Sequence, residues 1–310
     1  MKFKNLFFGA MIATLAIPAL ANKPITVGSG GVGGSYYPMV NDMIAFCGSS
    51  TSRQFTNVES PGGSVGNVIG MTNKEFHAGI TQIDVLKYYA KMMGEKVNAN
   101  RMKVVVGLHR ESGHLMIPPG WEPKSSGFSG FFSKLNFLED KKGVDINLLK
   151  NQTIGAWGGS IVSAKALSSF LGLNMNVVEI QPGAKVDSPV LRVAGQPDDH
   201  VKAYLAAGWN IVPIDAEILK NRASFYDKVT LNYSIGGKVV SIPSFGVRAV
   251  FVAKSSRADA RNLPFSEMAS CLRKSLADLA DDSDTNPNWE SVYEFENEEQ
   301  VDWDYFPLLK

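Results

Sequence analysis

The sequence predicts an α/β fold in two lobes, with a ligand cleft between them. Three observations carry that prediction. The chain has 310 residues, about twice a typical domain. From Pro24 onward, short β-rich runs alternate with helical patterns, the rhythm of strand–helix units around a parallel or mixed sheet. Three of the strand-to-helix junctions also share one device, a glycine-rich turn.

The composition fits such a fold. Hydrophobic residues make up 45% and charged residues 20%, enough apolar material for a large core. Lys+Arg 31 against Asp+Glu 30 gives a net charge of +1, which argues against a basic nucleic-acid binder and against an acidic disordered chain. Two cysteines are too few for a disulfide scaffold or a Cys-built zinc site.

Residues 1–21 read as a secretory signal. Lys2 and Lys4 precede an apolar run from Leu6 to Ile17, and Ala19-Leu20-Ala21 supplies a small-residue cleavage site. The run is too short to span a bilayer comfortably, and no later segment offers about 18 uninterrupted apolar residues. Loss of the two lysines leaves 29 basic against 30 acidic residues, net −1. Export permits disulfides and makes nicotinamide cofactors scarce. Cys47 and Cys271 could pair if they share a lobe; two buried free thiols are the other reading.

In order, Ile25–Val27 reads as a strand, residues 36–46 as a helix, 54–59 as a strand and 65–71 as a helix. Strand 76–80 and helix 85–93 follow, then two close apolar strands at 103–108 and 115–117. Residues 120–144, with Pro123, Ser125-Ser126-Gly127 and a cluster of Phe, behave as an insertion or long connection. The rhythm then restarts with strand 152–156 and helix 161–171, followed by strands at 177–180, 191–194 and 211–214. Helix 198–207 is N-capped by Asp198, and a strand at 247–253 and a helix at 265–279 complete the body. The acidic tail is expected to dock Trp289, Tyr293, Trp303 and Phe306 while its carboxylates stay solvated. Residues 22–117 with 246–310 would form lobe 1, and 118–245 lobe 2.

The three turns are Ser29–Ser35, Ser60–Ser64 and Gly158-Gly159-Ser160. Each presents free backbone N–H groups and the positive end of a helix dipole, so together they could hold a carboxylate or phosphate. Two rival readings fall short. Gly28-x-Gly30-x-x-Gly33 matches a dinucleotide fingerprint, but the acid expected about twenty residues later is not clearly present, Glu59 being further on. Gly62-x-Ser64-x-Gly66 matches a hydrolase nucleophile elbow, yet His77, His109, His114 and His200 all precede the last third of the chain, where the partner histidine is needed. His109 and His114 are five apart, unlike the i,i+4 pair of helical zinc sites, and read as strand-end or loop residues with no metal. Arg192 and Arg248 could each grip a carboxylate in bidentate fashion, a surface ion pair being the default for either.

Ile25-Thr-Val-Gly-Ser-Gly-Gly-Val-Gly-Gly-Ser-Tyr-Tyr-Pro38 resembles the opening motif of the TAXI family, the solute-binding proteins of a subset of TRAP transporters. Val58-Glu-Ser-Pro-Gly-Gly-Ser-Val-Gly-Asn67 and Gly79-Ile-Thr-Gln-Ile-Asp84 resemble that family's second and third motifs. Gly159-Ser-Ile-Val-Ser-Ala-Lys165 and Gly195-Gln-Pro197 are similar to its later elements. The resemblance covers most of residues 25–117 and, more loosely, 150–255. Pro61 stands where the family usually has Thr, and Gly158 where Ser is common.

The resemblance implies a periplasmic-binding-protein type II fold whose lobes close on a small carboxylate: an amino acid such as glutamate, or a dicarboxylate. It implies ligand contacts from Gly31, Tyr36, Tyr37, Ser64, Asn67, Gln82, Asp84, Gly159 and Ser160. The expected protein is periplasmic, monomeric and non-enzymatic. It uses no cofactor, metal or nucleic acid, and it delivers its cargo to the membrane subunits of a TRAP permease. A binding protein for an ABC importer or a sensor kinase is the same-fold alternative, and a secreted serine hydrolase using Ser64 the different-class one.

Overall fold

A computed structural model describes residues 23–123, 143–296 and 300–308. The signal sequence and most of the 120–144 segment lie outside the described residues.

In chain order the elements are β1 (Ile25–Gly28), α1 (Tyr36–Cys47), β2 (Phe55–Val58), α2 (Gly63–Asn73), β3 (Ala78–Gln82) and α3 (Ile83–Met92). After β4 (Met102–Ile117) come β5 (Thr153–Ala156), α4 (Gly159–Leu171), β6 (Asn176–Glu179), β7 (Val190–Ala194), α5 (Asp199–Ala206) and β8 (Asn210–Ile211). The chain continues through α6 (Ala216–Arg222), β9 (Tyr226–Ile235), β10 (Lys238–Lys254), α7 (Asp259–Asp281) and α8 (Asn288–Glu296).

The strands form one curled sheet in the order β2-β1-β3-β10-β4-β7-β5-β6, with β8 joined to β4 and β9 to β10. β1 pairs in parallel with both β2 and β3, and β5 pairs in parallel with both β6 and β7. Each trio is the core of one lobe. Antiparallel β4 and β10 run between the trios, and β4 is shared: residues 102–112 pair with β10 and 112–116 with β7. The result is an α/β fold in which two parallel three-stranded units are joined by long antiparallel strands, the two-lobed arrangement that the sequence predicts.

Two expectations are corrected. The strands expected at 103–108 and 115–117 are one 16-residue strand. Its polar middle does not break it, because Arg110, Glu111 and Ser112 pair in register with Arg248, Val247 and Gly246. The second correction is the β9–β10 hairpin, whose first arm and turn the sequence reading left unassigned. Its two-residue loop, Gly236-Gly237, takes φ of +58° and +78°, as a turn matched to strand twist requires.

Packing holds the helices that matter for the site. In α1 the residues Tyr36, Met39, Val40, Met43 and Cys47 form one buried stripe at helical spacing. They meet Ile25, Val27, Phe251, Phe265, Met268 and Leu272 in a single apolar cluster. Burial of each large side chain there stabilises by about 1.5–3 kcal/mol, so the stripe fixes the direction in which α1 points. Cys47 and Cys271 are joined in a disulfide with Cα atoms 5.7 Å apart, which ties the end of α1 to α7. Of the four tail aromatics, Trp289 and Phe306 are buried and Trp303 packs partly against the core. Tyr293 is exposed, because it falls on the outer side of α8.

Candidate functional site

A cavity of about 600 Å³ opens between the two trios of strands. The glycine turns form much of its wall, through Gly30, Gly31, Gly33, Gly34, Gly62, Gly63, Gly158 and Gly159. The N-termini of α1, α2 and α4 therefore converge on one space. None of the three has a side-chain cap or an acidic residue in its first turn. Helices α5 and α6, by contrast, are capped by Asp198 and Asp215. Uncapped amide ends that share a cavity leave their donors for an anion. Gly63 and Gly158 sit at φ of +52° and +54°, conformations that turn the chain sharply into α2 and α4 and that side chains rarely adopt.

The floor carries the polar side chains. The Tyr36 hydroxyl lies 3.2 Å from Ser64 Oγ. Gln82 Nε2 donates to Glu111 Oε2, and Ser163 Oγ donates to Gln82 Oε1 at 3.2 Å. Burial first, and then the nearby charge of Asp84, push the Glu111 carboxyl up to about 7 against the pull of Tyr36, Arg192 and Gln82. Burial likewise raises Asp84 to about 6, opposed by hydrogen bonds from Ser163 and the Val85 amide. His109, buried in β4, lies 3.9 Å from Glu111 Oε1. Desolvation and the Arg248 charge lower it to about 4, so it is neutral near pH 7.

Arg192 lines the opposite wall. Its Nε donates to Asp198 Oδ2 at 3.1 Å and its guanidinium lies 5.3 Å from the Trp157 ring centre. The Asp198 carboxylate also caps α5, and its backbone N–H donates to the Tyr233 hydroxyl at 3.1 Å. That hydroxyl in turn lies 2.9 Å from His114 Nε2. Arg192 is thus held through its Nε by Asp198 and by the Trp157 ring at the cavity wall. Arg248 is buried rather than at the surface, its guanidinium 5.1 Å from the Phe295 ring centre. Both histidines of β4 lie inside the strand and not at its end.

The predicted site residues divide. Gly31, Tyr36, Ser64, Gln82 and Gly159 line the cavity. Tyr37, Asn67, Asp84 and Ser160 stand outside its lining. Tyr37 follows Tyr36 in α1 and presents its carbonyl to Asn57 Nδ2. Asn67 Nδ2 donates to the Ser29 carbonyl and, at 2.7 Å, to that of Ile80, tying the first glycine turn to β3. Asp84 lies one layer deeper, near Ser163 and the Tyr226 hydroxyl. Ser160 Oγ accepts from the Val193 amide at 2.9 Å, joining α4 to β7.

Sequence reasoning did not single out Glu111, Trp157 or Asp198 as lining residues. In the sequence Glu111 stands within a polar stretch, His109 to His114, between two apolar runs, and nothing there marks it out from its neighbours.

No protein-family model and no curated protein matches the chain. Solved structures similar to it include the GluR0 ligand-binding core in complex with L-glutamate, at 11% identity and a TM-score of 0.44 over 88% of this chain and 98% of that one. A structure described as a periplasmic transporter is similar at 11% identity and a TM-score of 0.44, covering 91% and 99% of the two chains. An ancestral arginine-binding protein bound to glutamine is similar at 10% identity and a TM-score of 0.41, covering 87% and 96%.

Proposed function

We propose that this protein is an exported solute-binding protein that captures a small carboxylate and delivers it to a TRAP-type secondary transporter. One observation carries the reading: three uncapped helix N-termini, free of first-turn acids, converge on a single cavity that Arg192 also lines. Backbone amides would take the carboxylate, Tyr36 and Trp157 would cover the carbon skeleton, and lobes 22–117 with 246–310 and 118–245 would close over it. The motif resemblance to the TAXI proteins supports the transporter assignment. The Cys47–Cys271 bridge supports an oxidising compartment such as the periplasm. Among the described residues, no helix is long and apolar enough to cross a membrane.

The hydrolase alternative meets a physical obstacle. The Ser64 hydroxyl has the Tyr36 hydroxyl as its partner rather than a histidine, and burial and the Glu111 charge raise the Tyr36 ionisation well above its ordinary value. A phenol held neutral is a poor base. The strained positive φ that an elbow places at its nucleophile is found one residue earlier, at Gly63.

Thermal unfolding of ligand-stripped protein against carboxylates, amino acids and phosphate tests the reading. A ligand at about a hundred times its Kd stabilises by ~2.7 kcal/mol, a rise of several degrees in Tm. No shift with any compound, together with labelling of Ser64 by a fluorophosphonate probe, would replace the binding protein with the hydrolase.

A further inference from the structure

We propose that Glu111 is the specificity-determining residue of the cleft and requires a primary ammonium on the solute, so that the ligand is an amino acid and not the oxo acid or dicarboxylate of the same skeleton. This rests on the carboxylate-binding reading above and narrows it.

The argument starts from the company Glu111 keeps. It lines the cavity, yet its side chain is only 9% exposed. Gln82 and Tyr36, which hold it, are neutral donors. Among the described residues, two basic side chains bear on it. His109 is 3.9 Å away, beyond hydrogen-bond reach, and is neutral near pH 7. Arg192 is anchored through Nε to Asp198 on the other wall. A desolvated carboxylate with no full counter-charge is costly, and a buried acid normally has one.

Arg192 lines the same cavity and draws on Glu111 from a distance, but it is paired with Asp198, and the geometry is arranged for a molecule that brings a charge to Glu111 directly. Three helix N-termini and Arg192 attract a carboxylate, while Glu111 repels one from the floor. Opposite preferences within about 600 Å³ fit a small zwitterion. With Glu111 ionised, an oxo acid would set a carbonyl oxygen against the Glu111 oxygens, two acceptors with no proton between them. A second carboxylate there would be worse. Sites built around a buried polar group discriminate strongly against analogues that leave it unpaired. Glu111 lies in β4 opposite Val247 of β10, so its backbone is fixed by pairing on the strand that joins the lobes.

Calorimetric titration of the ligand-stripped protein tests this with matched trios. Alanine, pyruvate and lactate form one, glutamate, 2-oxoglutarate and 2-hydroxyglutarate a second, and leucine with its 2-oxo and 2-hydroxy acids a third. The expected result is that in the trio that binds, the amino acid binds at least tenfold more tightly than either partner. Glu111→Gln should weaken the amino acid at least tenfold and narrow its lead over the oxo acid. An oxo or hydroxy acid that binds wild-type protein as tightly as its amino acid overturns the proposal, as does an unchanged preference in a folded Glu111→Gln protein. The wild-type comparison stands even if that variant fails to fold. If no trio member and no other carboxylate in the thermal panel binds, the carboxylate reading itself falls.

Discussion

Glu111 ionises close to neutrality, pushed up to about 7 by burial and the Asp84 charge, and this sets the pH at which the cleft changes its own charge. An ammonium ligand needs the ionised form. Below the folded value the proton must leave before the ligand can pair, so affinity should fall about tenfold between pH 8 and pH 6. The groups facing Glu111 do not reverse that sign. Tyr36 is raised well above its usual range and His109 is lowered to about 4, so both stay neutral, while Arg192 and Arg248 stay charged. Asp84, pushed up to about 6, becomes less ionised over the same fall in pH and would only ease the ionisation of Glu111. Calorimetry at pH 6, 7 and 8 reads the slope directly. It should vanish in Glu111→Gln and persist in Asp84→Asn, and a flat wild-type profile would contradict the assignment. Glu111 was hard to find in the sequence for a physical reason. Flanked by Arg110 and Ser112, it looked like the polar gap between two short strands. Only pairing with β10 turns that gap into the buried middle of one strand.

At the scale of elements, the glycine turns were the legible part. Strand, turn and helix follow from the local sequence pattern at all three, and the structure brings the three turns to one cavity. Their value lies in backbone direction, which can be tested at Gly158. It combines φ of +54° with ψ of −136°, a region almost closed to other residues, yet a Cβ there would meet nothing within 4 Å. Gly158→Ala should therefore cost about 1–3 kcal/mol through strain and not through collision. It should also weaken carboxylate binding, since relief of the strain swings the α4 amides away. Denaturant titration and calorimetry measure the two effects, and unchanged affinity in a destabilised variant would show that α4 takes no part in the site. The same turns show which residues of the motifs reach the cavity wall. Asn67 and Ser160 belong to the right motifs but stand outside the cavity lining, where Asn67 Nδ2 holds the Ser29 and Ile80 carbonyls and Ser160 Oγ the Val193 amide. A motif fixes which residues are present. It does not fix which of them face inward.

For the whole molecule, the alternation of strands and helices was enough for the class and for a cleft. The β9–β10 hairpin was not read, because residues 215–246 mix polar and apolar positions and a Gly-Gly pair alone did not announce a ten-residue arm. Lobe closure predicts that small-angle scattering at saturating ligand gives a smaller radius of gyration than the stripped protein, and an unchanged value would mean that the solute is held by a rigid cup. On that proposal the change would have to be absorbed by twisting the paired strands β4 and β10, which run between the two parallel units. Points close to the axis of such a ribbon travel little however wide the jaws stand. On the proposed closure Glu111, paired with Val247 of β10, would be one of them, whereas the amide ends of α2 and α4 would ride on opposite jaws. The solute would then be examined in sequence: its amine meets a stationary gauge at the pivot while the cleft is open, and its carboxylate is gripped only as the jaws arrive.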